Sequence, residues 1–227
     1  MDFLNSNTTT MKKFISITAL LAAGSAFANA EEYTASTPEK TNQGNYYGFC
    51  LAFDNATYLT TDVPAGLELN LDSIALQTRS DGSLEKMKIA VYEYTGDHTT
   101  GNFLGTSSVA TFATNTNITL TFNDITVNSS SRYQFLFVKE NATAESLVTF
   151  DGYKTNAMTW GVAVTNDFSA SIPKGWGTYK SSGIDSWEGQ YIPVVSFTLS
   201  TIPEPSTFGL LAGLGALALV GTRRRRK

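Results

Sequence analysis

Between Glu31 and Thr201 the chain offers eighteen carboxylates, one imidazole and one thiol. A Ser-His-acid mechanism would have to use His98, which lies in the turn-forming run Gly96-Asp97-His98-Thr99-Thr100-Gly101. No G-x-S-x-G elbow accompanies it, and no Ser or orienting acid can be assigned to it, so His98 reads as a surface-loop histidine. Cys50 sits in the apolar run Gly48-Phe49-Cys50-Leu51-Ala52-Phe53 with no basic neighbour to lower its pKa, and reads as a small buried hydrophobe. One Cys and one His also rule out an intrachain disulfide and any metal site built on several thiolates or imidazoles. Loop oxygens of exported sandwiches can hold calcium, but no D-x-D-x-D-G run occurs and no ligand is assigned. The sequence therefore implies no cofactor. Carboxylate pairs are the remaining catalytic option, because glycoside hydrolysis needs two acids about 5 to 9.5 Å apart. Glu140, Glu145 and Asp151 gather near one strand end, and Asp185 and Glu188 flank Trp187, yet spacing does not separate them from solvated loop acids. The expectation is a non-catalytic protein, with a secreted carbohydrate-active hydrolase as the alternative.

The most suggestive group lies between Ile172 and Tyr191, in the runs Pro173-Lys174-Gly175-Trp176-Gly177-Thr178-Tyr179 and Gly183-Ile184-Asp185-Ser186-Trp187-Glu188-Gly189. Glycine neighbours cannot shield a large ring. Trp176, Tyr179 and Trp187 could therefore present flat faces to a sugar, with Asp185 and Glu188 accepting hydrogen bonds from its hydroxyls. The other reading is that both Trp rings fold back to plug an open end of the core.

These residues need a scaffold, and the body is written for strands. From Tyr33 to Thr201, Thr and Ser supply 25 and 17 residues, and no stretch sustains a 3.6-residue apolar period. Period two dominates: Leu67, Leu69 and Leu71; Ile118, Leu120 and Phe122; Tyr133, Phe135 and Phe137. Further strands are expected at Tyr46–Phe53, Ser73–Thr78, Lys88–Tyr94, Ser107–Phe112, Leu147–Phe150, Thr159–Val164 and Pro193–Ser200, bounded by Gly, Asn, Asp and Ser. Arg132–Lys139 is apolar on both faces except at Gln134, which places it centrally in a covered sheet. About ten short strands without a Cys pair bracketing a Trp point to an all-β protein, an antiparallel β-sandwich of jelly-roll type. The expected organisation is a flexible lead-in over 31–45 and one β-sandwich domain over 46–201. The body from Glu31 to Thr201 carries 18 acidic and nine basic residues, formally −9, which argues against nucleic acid as a partner.

The two ends differ from this body. Lys12 and Lys13 precede an apolar run from Phe14 to Ala23, and Ala28-Asn29-Ala30 stands before Glu31-Glu32. Residues 1–30 thus read as a signal peptide with small residues at Ala28 and Ala30 for signal peptidase, cut after Ala30. Asp2–Thr10 is polar and unlike an n-region, which makes Met11 an alternative start. At the other end, segment 202–227 runs from Pro203-Glu204-Pro205 through an apolar stretch to Arg223, Arg224, Arg225, Arg226 and Lys227. A terminal helix over about 206–222 would be short for a hydrocarbon core of about 30 Å. Its five end cations would anchor the C-terminus in the cytoplasm and leave the acidic body on the far side.

This tripartite tail, together with the signal peptide, resembles the PEP-CTERM sorting signal of Gram-negative bacteria; the resemblance covers Pro203 to Lys227. It implies that an exosortase, a membrane enzyme with a cysteine nucleophile, processes the chain at Pro203, Glu204 and Pro205. The implied course is an inner-membrane-anchored precursor, then delivery to the cell surface or extracellular matrix. Two prolines of fixed φ and no N–H would keep the motif extended and readable. The expected function is that of an exported surface protein that binds polysaccharide, with hydrolysis or a purely structural role as alternatives.

Overall fold

Alternating apolar residues can bury one face of a strand only against a second sheet, and this chain builds two. The computed structural model describes residues 30–38, 42–78, 84–95, 100–149, 155–165, 177–180, 187–188 and 191–202. Its strands are β1 (Glu32–Ser36), β2 (Asn42–Leu51), β3 (Thr60–Thr61), β4 (Glu68–Gln77), β5 (Glu85–Tyr94), β6 (Thr100–Thr106), β7 (Ala110–Phe112) and β8 (Asn117–Thr121). They continue as β9 (Thr126–Asn128), β10 (Tyr133–Lys139), β11 (Trp160–Thr165), β12 (Gly177–Lys180), β13 (Trp187–Glu188), β14 (Ile192–Pro193) and β15 (Val195–Thr201). One helical turn, α1 (Ala144–Leu147), separates β10 from β11. Glu31–Thr201 forms one compact unit.

All pairings between strands are antiparallel. The first sheet runs β3-β1-β15-β4-β8, with β9 also on β4; the second runs β13-β12-β2-β10-β5-β6, with β7 on β5 and β11 on β2. Strands β8 and β9 lie in series along β4, and β6 and β7 in series along β5. With each series taken as one split strand, the sheets read β1-β15-β4-β8/β9 and β2-β10-β5-β6/β7. That interleaving is the jelly roll, two Greek keys wrapped on one core, as the strand pattern predicts. The segment from β11 to β14 is an insertion before the last strand, added to the free edge of β2.

The core between the sheets is aromatic at its centre. Phe49 stacks on Phe135 at 5.0 Å between centroids, and Phe197 meets Phe53 edge-on at 5.1 Å. Each such ring contributes roughly 1.5–3 kcal/mol by leaving water. In β4 the inward residues are Leu69 and Leu71, then Ile74 and Leu76. The change of parity falls at Asp72, where the pairing steps from Thr198↔Ser73 to Leu199↔Leu71. This bulge joins the stretches around Leu67–Leu71 and Ser73–Thr78 into one strand.

Strand β10 is central, as expected, with Tyr133 to Val138 all buried. Its outward residues Leu136 and Val138 join Cys50, Ala90, Tyr92, Ala142 and Leu147 in a second cluster. Leu147 comes from α1, and the Tyr92 hydroxyl donates to the Leu147 carbonyl at 2.7 Å. The strand expected at Leu147–Phe150 is thus corrected in its described part. Thr143 Oγ1 accepts from Ser146 N–H at 3.2 Å and Ser146 Oγ accepts from Thr143 N–H at 3.0 Å, a capping box that starts a helical turn instead.

A second correction concerns 31–45. Far from being flexible throughout, this stretch supplies β1, paired with β15 from Glu32↔Ser200 to Ser36↔Ser196, and the first residues of β2. Ala35 is fully buried in the core. The Thr- and Ser-rich composition conceals a strand that needs only Tyr33 and Ala35 on its inward side.

Candidate functional site

The aromatic segment acquires its geometry from β2. The partners of Tyr179 and Lys180 on β2 are Gly48 and Tyr46, so Tyr47 is an extra, bulged residue. The bulge sends Tyr46 into the core between the sheets and Tyr47 against the outer cluster. Next to it, Gly48 lies so close to β10 that a Cβ would collide with the Phe135 carbonyl and Leu136. Only glycine fits this approach.

On this edge, Gly177 faces Cys50, Thr178 faces Phe49 and Tyr179 faces Gly48. Beyond it, Tyr179 pairs with Trp187 and Thr178 with Glu188. Positions facing each other across a ladder share one face of the sheet and bring Cβ atoms to about 4.5–5.5 Å. Tyr179 and Trp187 are thus opposite one another in register, as are Thr178 and Glu188. Of the predicted binding residues, the structure brings these two aromatics into register; Trp176 and Asp185 lie outside the described residues.

The candidate acids divide similarly. Glu140 is exposed and lies 3.9 Å from Lys86, also exposed, while Glu145 is an exposed residue of the first turn of α1. His98 and Asp151 lie outside the described residues. Cys50 is fully buried, and that burial pushes its thiol pKa up against the opposing influence of Arg132. The thiol is held protonated, the opposite of a nucleophile's requirement.

The first and last residues of the body are bonded to each other. Thr201 N–H donates to the Glu31 carbonyl at 2.9 Å, and Glu31 N–H donates to Thr201 Oγ1 at 2.9 Å. Ala30, on the expected cleavage bond, is exposed. Beside it, a hydrogen bond to Glu31, together with burial and the charges of Glu31 and Asp62, raises the Tyr33 pKa. Asp62 closes the edge of β1: its Oδ1 accepts from Thr34 N–H at 2.7 Å. Sequence reasoning missed this pinning, for which the only sign is the Tyr33 and Ala35 alternation. Ala28, Pro203, Glu204, Pro205, the helix expected at 206–222 and the cations Arg223, Arg224, Arg225, Arg226 and Lys227 lie outside the described residues. Among the described residues no helix is long and apolar enough to cross a membrane.

Residues 201–226 match the family model of the PEP-CTERM protein-sorting motif. No curated protein and no solved structure matches the chain. The family match begins at Thr201, the last residue of β15, so the sorting segment starts where the jelly roll ends. Such a motif implies export and sorting by an exosortase.

Proposed function

We propose that this chain is a non-catalytic protein of the cell surface or extracellular matrix, whose jelly-roll body binds a neutral or weakly charged polysaccharide at the β12–β13 edge. The observation that carries the sorting half is the motif match at residues 201–226. Signal peptidase removes residues 1–30, the tail holds the precursor at the inner membrane, and an exosortase releases or transfers the body at Pro203-Glu204-Pro205. The binding half is supported by the register of Tyr179 against Trp187 on an edge added to the jelly roll. Two adjacent aromatic residues can form a stacking platform for sugar rings, which present apolar C–H faces. The formal −9 of the body disfavours acidic glycans. Binding is tested with a glycan array on the body Glu31–Thr201, which has its own core. Retention of neutral glycans without turnover supports the reading; release of reducing ends would replace it with hydrolysis, and an empty array with a structural role.

A further inference from the structure

We propose that the outer face of the first sheet is a glycan-binding surface separate from the β12–β13 edge, and that it takes a cationic polysaccharide built of amino sugars. The face belongs to the opposite sheet and draws on no residue of that edge, so it stands or falls independently of the stacking platform.

The register of the strands makes the face. Val195, Phe197 and Leu199 of β15 enter the core, which turns Ser196, Thr198 and Ser200 outward. Thr34, Thr198, Ser73 and Thr121 then stand side by side across β1, β15, β4 and β8. On one side of that row run Ser36, Ser196, Ala75 and Thr119. On its other side run Glu32, Ser200, Asn70 and Thr126. Nine of these twelve positions carry a hydroxyl, and none is aromatic or a large aliphatic. With strands about 4.8 Å apart and outward residues about 6.8 Å apart along each strand, the hydroxyls form a lattice that an extended chain of sugars can meet in several registers.

Charge sets the sign of the partner. The strands of this sheet contain Glu32, Glu68 and Asp72 and no Lys or Arg. Glu32 is exposed, and Asp72 Oδ1 accepts from the outward Ser200 Oγ at 3.1 Å. The five cations among the described residues lie elsewhere: Lys86, Lys88, Lys139 and Lys180 on strands of the second sheet, and Arg132 just before β10. Such a face repels phosphate and acidic glycans and attracts cations. Ser, Asp and Glu are depleted from protein–protein interfaces, and a face without an aromatic or aliphatic anchor lacks what a protein partner or a second copy would bury. An amino-sugar polymer matches it on both counts. Its hydroxyls exchange hydrogen bonds with Ser and Thr, and its ammonium groups donate charge-assisted ones to Glu32 and Asp72.

The test titrates the body Glu31–Thr201, which has its own core, with glucosamine oligomers, with the same oligomers N-acetylated, and with oligolysine, by calorimetry. We expect the glucosamine form to bind at least about tenfold more tightly than the acetylated one, which has lost its charge, and more tightly than oligolysine, which has no hydroxyls. Its binding should weaken at least about tenfold between about 0.1 M and about 1 M salt, as the screening length falls from about 10 Å to about 3 Å. Glu32→Gln with Asp72→Asn should cost at least about threefold, and Thr198→Lys, a cation at the centre of the face, at least about tenfold. Circular dichroism checks that each variant is folded, and Thr34→Lys on the exposed edge strand replaces Thr198→Lys if the central substitution fails that check. Trp187→Ala should bind as the parent does. Absence of binding, equal affinity for the two glucosamine forms, oligolysine held as tightly as the sugar, or parental binding by the charge variants would each overturn the proposal. Loss of binding in Trp187→Ala would move the amino sugar to the β12–β13 edge, overturning this surface while leaving that edge as the glycan site.

Discussion

Thr201 and Glu31 are joined by two hydrogen bonds of 2.9 Å, so the last strand residue before the sorting motif is held by the first residue after the expected signal cleavage. The body is closed on itself where both attachments leave it. Strand β15 runs between β1 and β4.

Removing Glu31–Ser36 should therefore do more than shorten a tail. It strips β15 of one neighbour, empties the fully buried Ala35 position and exposes a seven-residue edge. We expect a lower melting temperature and concentration-dependent aggregation, read by differential scanning fluorimetry and light scattering. Unchanged behaviour would restore the flexible lead-in.

Gly48→Ala should destabilise the body by roughly 1–3 kcal/mol, because the new methyl group meets the Phe135 carbonyl and Leu136 Cα, backbone atoms that cannot swing aside, as well as the Leu136 side chain. For a domain of this size that is a loss of about 2–12 °C in melting temperature. A neutral result in urea denaturation would mean that β2 and β10 can separate without cost.

Tyr92→Phe removes the hydroxyl that donates to the Leu147 carbonyl and should cost about 0.5–1.5 kcal/mol, with α1 losing amide protection from hydrogen exchange. Protection that survives the substitution would assign the docking of α1 to Leu147 packing alone.

Burial raises the pKa of both Cys50 and Tyr92 in the folded state. The unfolded chain releases these protons near pH 8.5 and 10, where the folded one does not, so stability is full below pH 8.5 and falls as pH rises through those values. Cys50→Ala should flatten the first part of that decline, and native Cys50 should resist alkylation at pH 8.5 until denaturant is added. Rapid alkylation of the folded protein would contradict the buried placement.

On a neutral glycan that the body retains, Trp187→Ala and Tyr179→Ala should each weaken binding by about 1–2 kcal/mol, roughly 5- to 30-fold, with melting temperature within 2 °C of the parent. A parallel loss of stability would identify the rings as core plugs, the other role their composition allows.

Strands with unbroken alternation, such as Tyr133–Lys139 and Ile118–Phe122, were legible in the sequence, and with them the sandwich. The structure departs from that pattern where the backbone departs from period two. The bulge at Asp72 shifts the apolar parity within β4, and glycines at 101 and 105 interrupt β6, which left Thr100–Thr106 without a strand signal. At β1, hydroxyl residues on the outward face dilute the pattern to two inward positions. The sorting motif was readable because order along the chain carries it. The Tyr179–Trp187 pair was visible as composition alone, since its register is created by the edge of β2 and no spacing rule encodes that edge.

Sorting through the motif at residues 201–226 is the property on which the proposed function rests. Deleting Pro203–Pro205 from the full chain and fractionating the cells tests it most directly. Normal export is expected, with uncut protein accumulating in the inner membrane and none reaching the surface or medium. A fractionation pattern identical to that of the intact chain would contradict it.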